Sequence, residues 1–144
     1  MSYLEGVYWD LDGTIANTEL EAHLPAFNRS FEALGIGWYW DEKTYIDLLK
    51  INGGKKRIEF YAKLNKQNFT QEIIGKIHLE KQKHYLALIK DGAVTLKSGV
   101  NRLINELKIK GVRQFIVTSS SRIQVTLLVD LLFGNKNPFE FFIS

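Results

Sequence analysis

Apolar residues follow two rhythms along this chain. Near the start, "GVYW" (residues 6–9) is a continuous apolar and aromatic run that stops at Asp10. Such a short run predicts a buried strand. The rhythm then changes. Leu20, Leu24, Phe27, Phe31 and Leu34 recur at spacings of three and four, which predicts one apolar helix face. Thr18 is the expected N-cap, Glu19 and Glu21 fall in the first turn, and Gly35 and Gly37 end the helix. Further helices are predicted over 41–50, 55–64, 70–89, 98–111 and 121–134. Continuous apolar runs return at 114–117 and in "FEFFIS", residues 139–144, and predict a second and a third strand.

Strand, helical stretch, helix, strand, helix, strand is the order of an α/β fold with a helical insertion after the first strand. Right-handed crossovers would make the three strands parallel. The expected division is a core of residues 1–17 and 95–144, with a helical domain of residues 18–94 between its two parts. The 144 residues suit one ordinary domain or two small ones. With 45% hydrophobic and 24% charged residues, the chain is globular. A net charge of +3 is too small to argue for nucleic acid. The absence of cysteine rules out disulfides and thiolate metal sites. No leader peptide and no membrane-length apolar run is recognisable, so the expectation is a cytoplasmic protein without a membrane partner.

The chemistry sits where two strands stop. Ligands of parallel sheets bind at the carboxyl ends of strands. There this chain places Asp10 and Asp12 after one strand, and Thr118 after another. A carboxylate can attack phosphorus. A second carboxylate two residues on can protonate the leaving oxygen and later deprotonate water. A divalent cation, with hard oxygen ligands suited to Mg²⁺, would offset the charge between carboxylate and phosphoryl group. The Thr118 hydroxyl and the N–H groups at the start of the next helix could hold the other phosphoryl oxygens.

"DLDGT" after an apolar strand resembles motif I of the haloacid dehalogenase superfamily, and "FIVTSSS" resembles its motif II. "DLDGTIANTE…H…PAFNRSFEALGIGWYWDEKTY" and "LLKINGGKKRI" are similar to the CbbY-like branch, near the β-phosphoglucomutases. The resemblance covers essentially all 144 residues. It implies a Rossmannoid three-layer core with a helical type 1 cap. It also implies an Mg²⁺-dependent phosphatase acting on a sugar phosphate or sugar bisphosphate through an aspartyl-phosphate. By that resemblance Asp10 is the nucleophile and Asp12 the general acid/base, while Thr118 anchors phosphate. The Asp10 side chain and the Asp12 backbone carbonyl would hold Mg²⁺. Gly13 would permit the tight turn, which Thr14 would support. Against this stand a plain strand-end turn for the two aspartates and a helix N-cap for Thr118.

In the helical insertion, "GGKKRI" places Lys55, Lys56 and Arg57 near a helix N-terminus, a poor place for cations unless an anion binds there. A distal phosphate or sugar acid would supply one, with Arg57 binding it bidentately; the alternative is a solvated basic turn. Lys55 and Arg57 match the family pattern, whereas Lys56 departs from it. Glu19 and His23 are expected near the mouth between cap and core, as substrate contacts or as surface groups. His78 and His84 are read as solvated. Trp38, Tyr39 and Trp40 are read as packing between cap helices. Ser119 and Ser120 are expected either to touch phosphate or to cap the helix that follows.

The family's motif III lysine and motif IV acidic pair normally lie beyond the third core strand, where this chain stops, and Lys136 precedes that strand. The expectation is therefore a shortened and impaired family member. Two other readings stay open: a phosphosugar mutase, and a non-catalytic remnant that binds phosphoesters or a partner chain. With the covering strand missing, residues 6–9 would be an open edge, and self-association through it is expected.

Overall fold

The computed structural model describes residues 3–140 and 142–143. The chain packs as two compact units, Met1–Glu21 with Ile89–Ser144, and Ala22–Leu88.

The first unit holds the sheet. Its strands β1 (Gly6–Trp9), β2 (Arg113–Val117) and β3 (Phe142–Ile143) are parallel, in the order β1-β2-β3. Trp9 pairs with Ile116, so β1 and β2 end side by side. The pairs Ile116–Phe142 and Val117–Ile143 set the other register. Phe141 and Ser144 of the expected third strand lie outside the described residues. Among the described strands β1 stands at an edge. Its Tyr8 is exposed and stacks on Phe115 with ring centroids 5.0 Å apart.

Between β1 and β2 lies helix α5 (Val100–Ile109), and between β2 and β3 lies helix α6 (Arg122–Phe133). Val125, Leu128 and Val129 of α6 and Ile104 and Leu107 of α5 are buried, as are Phe115 and Ile116. A buried glutamine ties this core together. Gln114 accepts from Trp9 Nε1 at 3.1 Å and donates to the Ile104 carbonyl at 3.1 Å. With its oxygen and one N–H paired, much of the cost of burying its amide is offset.

The two passages of chain that enter and leave the helical stretch are zipped together within this unit. Asn17 N–H donates to the Thr95 carbonyl (3.0 Å) and Lys97 N–H to the Ile15 carbonyl (2.9 Å). The Glu21 carboxylate accepts from Thr95 N–H at 2.8 Å and from its hydroxyl at 3.0 Å. Residues 18–21 and 89–94, which the sequence reading assigned to the helical domain, thus pack with the sheet.

The second unit is helical: α1 (Leu24–Ala33), α2 (Glu42–Leu48), α3 (Gly54–Leu64) and most of α4 (Gln71–Lys90). Its core is aromatic. Trp40 is fully buried, with ring centroids 4.7 Å from Phe27, 4.9 Å from Phe31 and 5.4 Å from Tyr61. Asn28 brackets its backbone, donating to the Trp40 carbonyl and accepting from Trp40 N–H, both at 2.8 Å. Trp38 packs on Phe31, Tyr61 and Phe69. The aromatic triplet therefore packs as expected at Trp38 and Trp40, whereas Tyr39 is 74% exposed.

Three details depart from the sequence reading. A π-helical turn, Glu19–His23, precedes α1. Pro25 has no N–H for the Glu21 carbonyl, so the regular helical ladder is interrupted there. Thr18 is already helical rather than a cap, and its hydroxyl donates to Asp12. Leu34 is exposed, since α1 ends at Ala33 and the chain turns away at Gly35.

Candidate active site

Asp10 follows directly on β1 and is exposed. Its Oδ1 accepts from Leu11 N–H at 2.9 Å, and its Oδ2 accepts from the Thr14 hydroxyl at 3.0 Å. Each carboxylate oxygen keeps a further lone pair beyond its single bond. The turn behind it is closed by Gly13 N–H donating to the Ala16 carbonyl at 2.8 Å. Gly13 sits at φ +75°, a left-handed conformation that strains any residue with a Cβ. A Cβ there would also stand 3.7 Å from Glu19 Cγ, which places Glu19 beside this turn.

Asp12 is half-buried and held by two hydroxyls. Thr18 donates to its Oδ1 at 2.6 Å and Ser120 to its Oδ2 at 2.7 Å. Ser120 lies on the loop after β2, so this last bond joins the ends of two neighbouring strands.

Thr118 follows β2, and its N–H donates to the Ile143 carbonyl at 2.9 Å. Its hydroxyl oxygen accepts from Ser120 N–H at 3.1 Å, a bond that does not consume the hydroxyl proton. Ser119 is exposed on the same loop. The residue that caps α6 is Ser121, which accepts from Gln124 N–H at 3.4 Å. Thr118 is thus not the helix cap weighed for it, and neither Ser119 nor Ser120 caps α6.

The first unit therefore brings together Asp10, Asp12, Gly13, Glu19, Thr118 and Ser119. The remaining candidates, His23, Lys55 and Arg57, belong to the second unit. There Lys55 is exposed at the start of α3. Half-buried Arg57 is partly committed elsewhere, as its Nε donates to the carbonyls of Leu48 (3.2 Å) and Ile51 (2.8 Å) at the end of α2. A bidentate grip on an anion would therefore have to come from its two terminal nitrogens.

His23 is only 9% exposed, and Lys81, 4% exposed, brings its Nζ to 2.8 Å from His23 Nδ1. The His23 ring stacks on Tyr85 at 4.4 Å, and Lys81 Nζ lies 5.0 Å from the ring centroids of Phe27 and Tyr85. A buried ammonium is stabilised by such ring faces. His78, expected in solvent, is instead half-buried against α3. A Cβ on Gly54 would meet its ring at 3.0 Å, so a larger residue there would have to push the ring aside. Burial, then the charges of Lys81, Lys55 and His23, lower the His78 pKa from 6.5 to about 4.

Sequence reasoning missed Thr18 and Ser120 as partners of Asp12, and Lys81 as the partner of His23. Thr18 gave a signal that pointed elsewhere, because a threonine before an acidic turn reads as a cap. Lys81 gave none, since a lysine on a charged helix reads as solvated.

The donors around Asp10 and Asp12 are all oxygens, which suits a hard cation such as Mg²⁺. Among the described residues no group of three or more His, Cys, Asp or Glu is arranged to hold a metal ion. No helix among the described residues is long and apolar enough to cross a membrane.

Comparison with known proteins identifies the family and the fold. Over 132 residues the chain is 38% identical to protein CbbY of Cereibacter sphaeroides, covering 92% of this chain and 57% of that protein. The crystal structure of CbbY from Rhodobacter sphaeroides in complex with phosphate matches with a TM-score of 0.83 at 35% identity, covering 97% of this chain and 63% of that one. A mutant of the same protein, solved with xylulose-(1,5)bisphosphate, matches with a TM-score of 0.83 at 34% identity. The chain thus spans less than two thirds of the length of these relatives. A family model described as haloacid dehalogenase-like hydrolase matches residues 7–144, and the chain belongs to that family.

Proposed function

We propose that this chain carries the phosphoryl-transfer centre of an Mg²⁺-dependent phosphatase that acts on a sugar phosphate or sugar bisphosphate. One observation carries the reading. Asp10 and Thr118 leave adjacent parallel strands at the same end, and the Ser120–Asp12 bond of 2.7 Å ties their loops. The xylulose-(1,5)bisphosphate bound by the related CbbY supports a bisphosphate as substrate class. A cytoplasmic setting suits a chain without cysteine.

In this mechanism a lone pair of the Asp10 carboxylate attacks phosphorus, and the bond to the sugar oxygen breaks. The departing oxygen takes its proton from Asp12. Asp12, now a carboxylate, removes a proton from water, which attacks the aspartyl-phosphate and releases inorganic phosphate. Leu11 N–H and the Thr14 hydroxyl keep the Asp10 carboxylate in place throughout. The Thr118 hydroxyl donates to a phosphoryl oxygen, where charge accumulates. Asp10 and the Asp12 carbonyl would hold Mg²⁺, which when bound offsets the repulsion between carboxylate and phosphoryl group. In the helical unit, Lys55 and the terminal nitrogens of Arg57 have the chemistry to take a distal phosphate and His23 that to take a sugar hydroxyl; Glu19, in the sheet unit, could likewise accept from a sugar hydroxyl.

Release of inorganic phosphate from xylulose 1,5-bisphosphate by a protein of the CbbY relatives' full length that carries this chain, with and without Mg²⁺, tests this reading, since the 144 residues by themselves are expected to be impaired. Mg²⁺-dependent release that disappears in Asp10→Asn is the expected result. Equal release by the variant would overturn the assignment.

A further inference from the structure

Asp12 accepts hydroxyl hydrogen bonds from two distant points of the sequence. Thr18 lies six residues on, in the segment that leads into the helical unit, and Ser120 lies 108 residues on, after β2. Each occupies a different carboxylate oxygen. A single hydrogen bond leaves a carboxylate free to rotate about its Cβ–Cγ bond. Two donors on opposite oxygens fix its plane as well as its position.

Ser120 is itself held. Its N–H donates to Thr118 Oγ at 3.1 Å, a local turn that fixes the backbone from which its hydroxyl reaches Asp12. The helix-capping role open to this serine run is filled by its neighbour Ser121. Ser120 thus connects the residue expected to anchor phosphate with the residue expected to move the proton.

We propose that Ser120 is a positioning residue for Asp12, fixing the plane of its carboxylate so that one oxygen faces the leaving group. The proposal rests on the phosphatase reading for its catalytic meaning, but its geometric content stands apart from turnover. Proton transfer needs the donor oxygen within hydrogen-bond reach of the leaving oxygen, and misplacement by about 1 Å costs on the order of 10²-fold in rate. Loss of Ser120 should therefore lower kcat by about 10- to 100-fold and leave KM within about twofold. Ser120 does not touch the reacting atoms in this scheme.

The decisive measurement does not need turnover. NMR of the chain labelled with ¹³C-aspartate reads the rotamer of the Asp12 carboxylate about its Cβ–Cγ bond from relaxation of its carboxyl carbon, and its environment from that carbon's shift. Wild type should show a single rotamer. Ser120→Ala should show rotamer averaging and a shifted carboxyl signal, and Ser120→Thr, which keeps the hydroxyl, should restore the wild-type pattern. Ser120 lies on a half-buried loop, and backbone amide spectra verify that each variant folds. An averaged Asp12 in wild type, a fixed Asp12 in Ser120→Ala, or no restoration in Ser120→Thr would each overturn the proposal. If xylulose bisphosphate is not hydrolysed but the rotamers behave as stated, the phosphatase reading fails while the Ser120–Asp12 clamp stands.

Discussion

Trp40 in the helical unit and Asp12 at the strand ends are both held firmly, by opposite means. Trp40 is enclosed by Phe27, Phe31, Tyr45 and Tyr61, and its indole N–H is buried without a hydrogen-bond partner among the described residues. Asp12 is half-buried, and both its oxygens accept hydroxyl bonds. In one place burial is large enough to tolerate an orphaned donor, whose cost is about 1–3 kcal/mol. In the other, directional bonds fix a polar group where chemistry needs it. The lesson is that one region should fail through stability and the other through rate.

The largest expected effect falls at the strand ends. Asp12→Asn should slow turnover of xylulose bisphosphate by a factor on the order of 10²–10⁴, the range for a general acid/base. Its melting temperature should move little, since the amide keeps one oxygen to accept from a hydroxyl. A steady-state assay beside a thermal melt checks both halves. A variant that lost stability but kept its rate would erase the contrast.

Trp40→Ala should do the reverse, costing about 3–5 kcal/mol of unfolding free energy. Trp40→Phe should cost much less, because it leaves most of the ring contact and removes the unpaired N–H. Urea titration followed by far-UV circular dichroism measures both, and equal losses would mean that ring packing is not what holds this unit.

A smaller effect sharpens the comparison through pH. The folded pKa of His78, about 4, lies below its ordinary 6.5. The unfolded chain therefore binds this proton more readily than the folded one. The contribution is fully present above pH 6.5 and is lost as pH falls toward 4. At about 1.4 kcal/mol per pKa unit, discounted for a half-exposed ring, it amounts to about 1–2 kcal/mol. Between pH 7 and pH 4.5 wild type should lose more melting temperature than His78→Gln. Identical losses would place the acid sensitivity elsewhere.

The sequence made some of this legible for identifiable reasons. Apolar spacing located the helices because each buries one face, and the runs at 6–9 and 114–117 marked β1 and β2 because each is short and ends at polar residues, although only β2 is largely buried and β1 stands at the edge with Tyr8 exposed. Asp10, Asp12 and Thr118 stood out because they end those runs. What stayed hidden depends on contacts between residues far apart in the chain. The Ser120–Asp12 bond spans 108 positions, and the Lys81–His23 contact spans 58. The interruption at 19–23 could have been anticipated, since Pro25 follows one turn later. Arg57 shows a further limit, because its charge was visible but the carbonyls of Leu48 and Ile51 that engage its Nε were not.

The central claim is that the exposed carboxylate after β1 forms a covalent bond to phosphorus. Rapid acid quench of the Mg²⁺-loaded chain with xylulose bisphosphate, followed by peptide mass spectrometry, tests it most directly. A phosphoryl group on Asp10, labile to hydroxylamine as an acyl phosphate must be and absent from Asp10→Asn, is the result the account predicts. Phosphate release with no label on Asp10, or with the label on another residue, would contradict it.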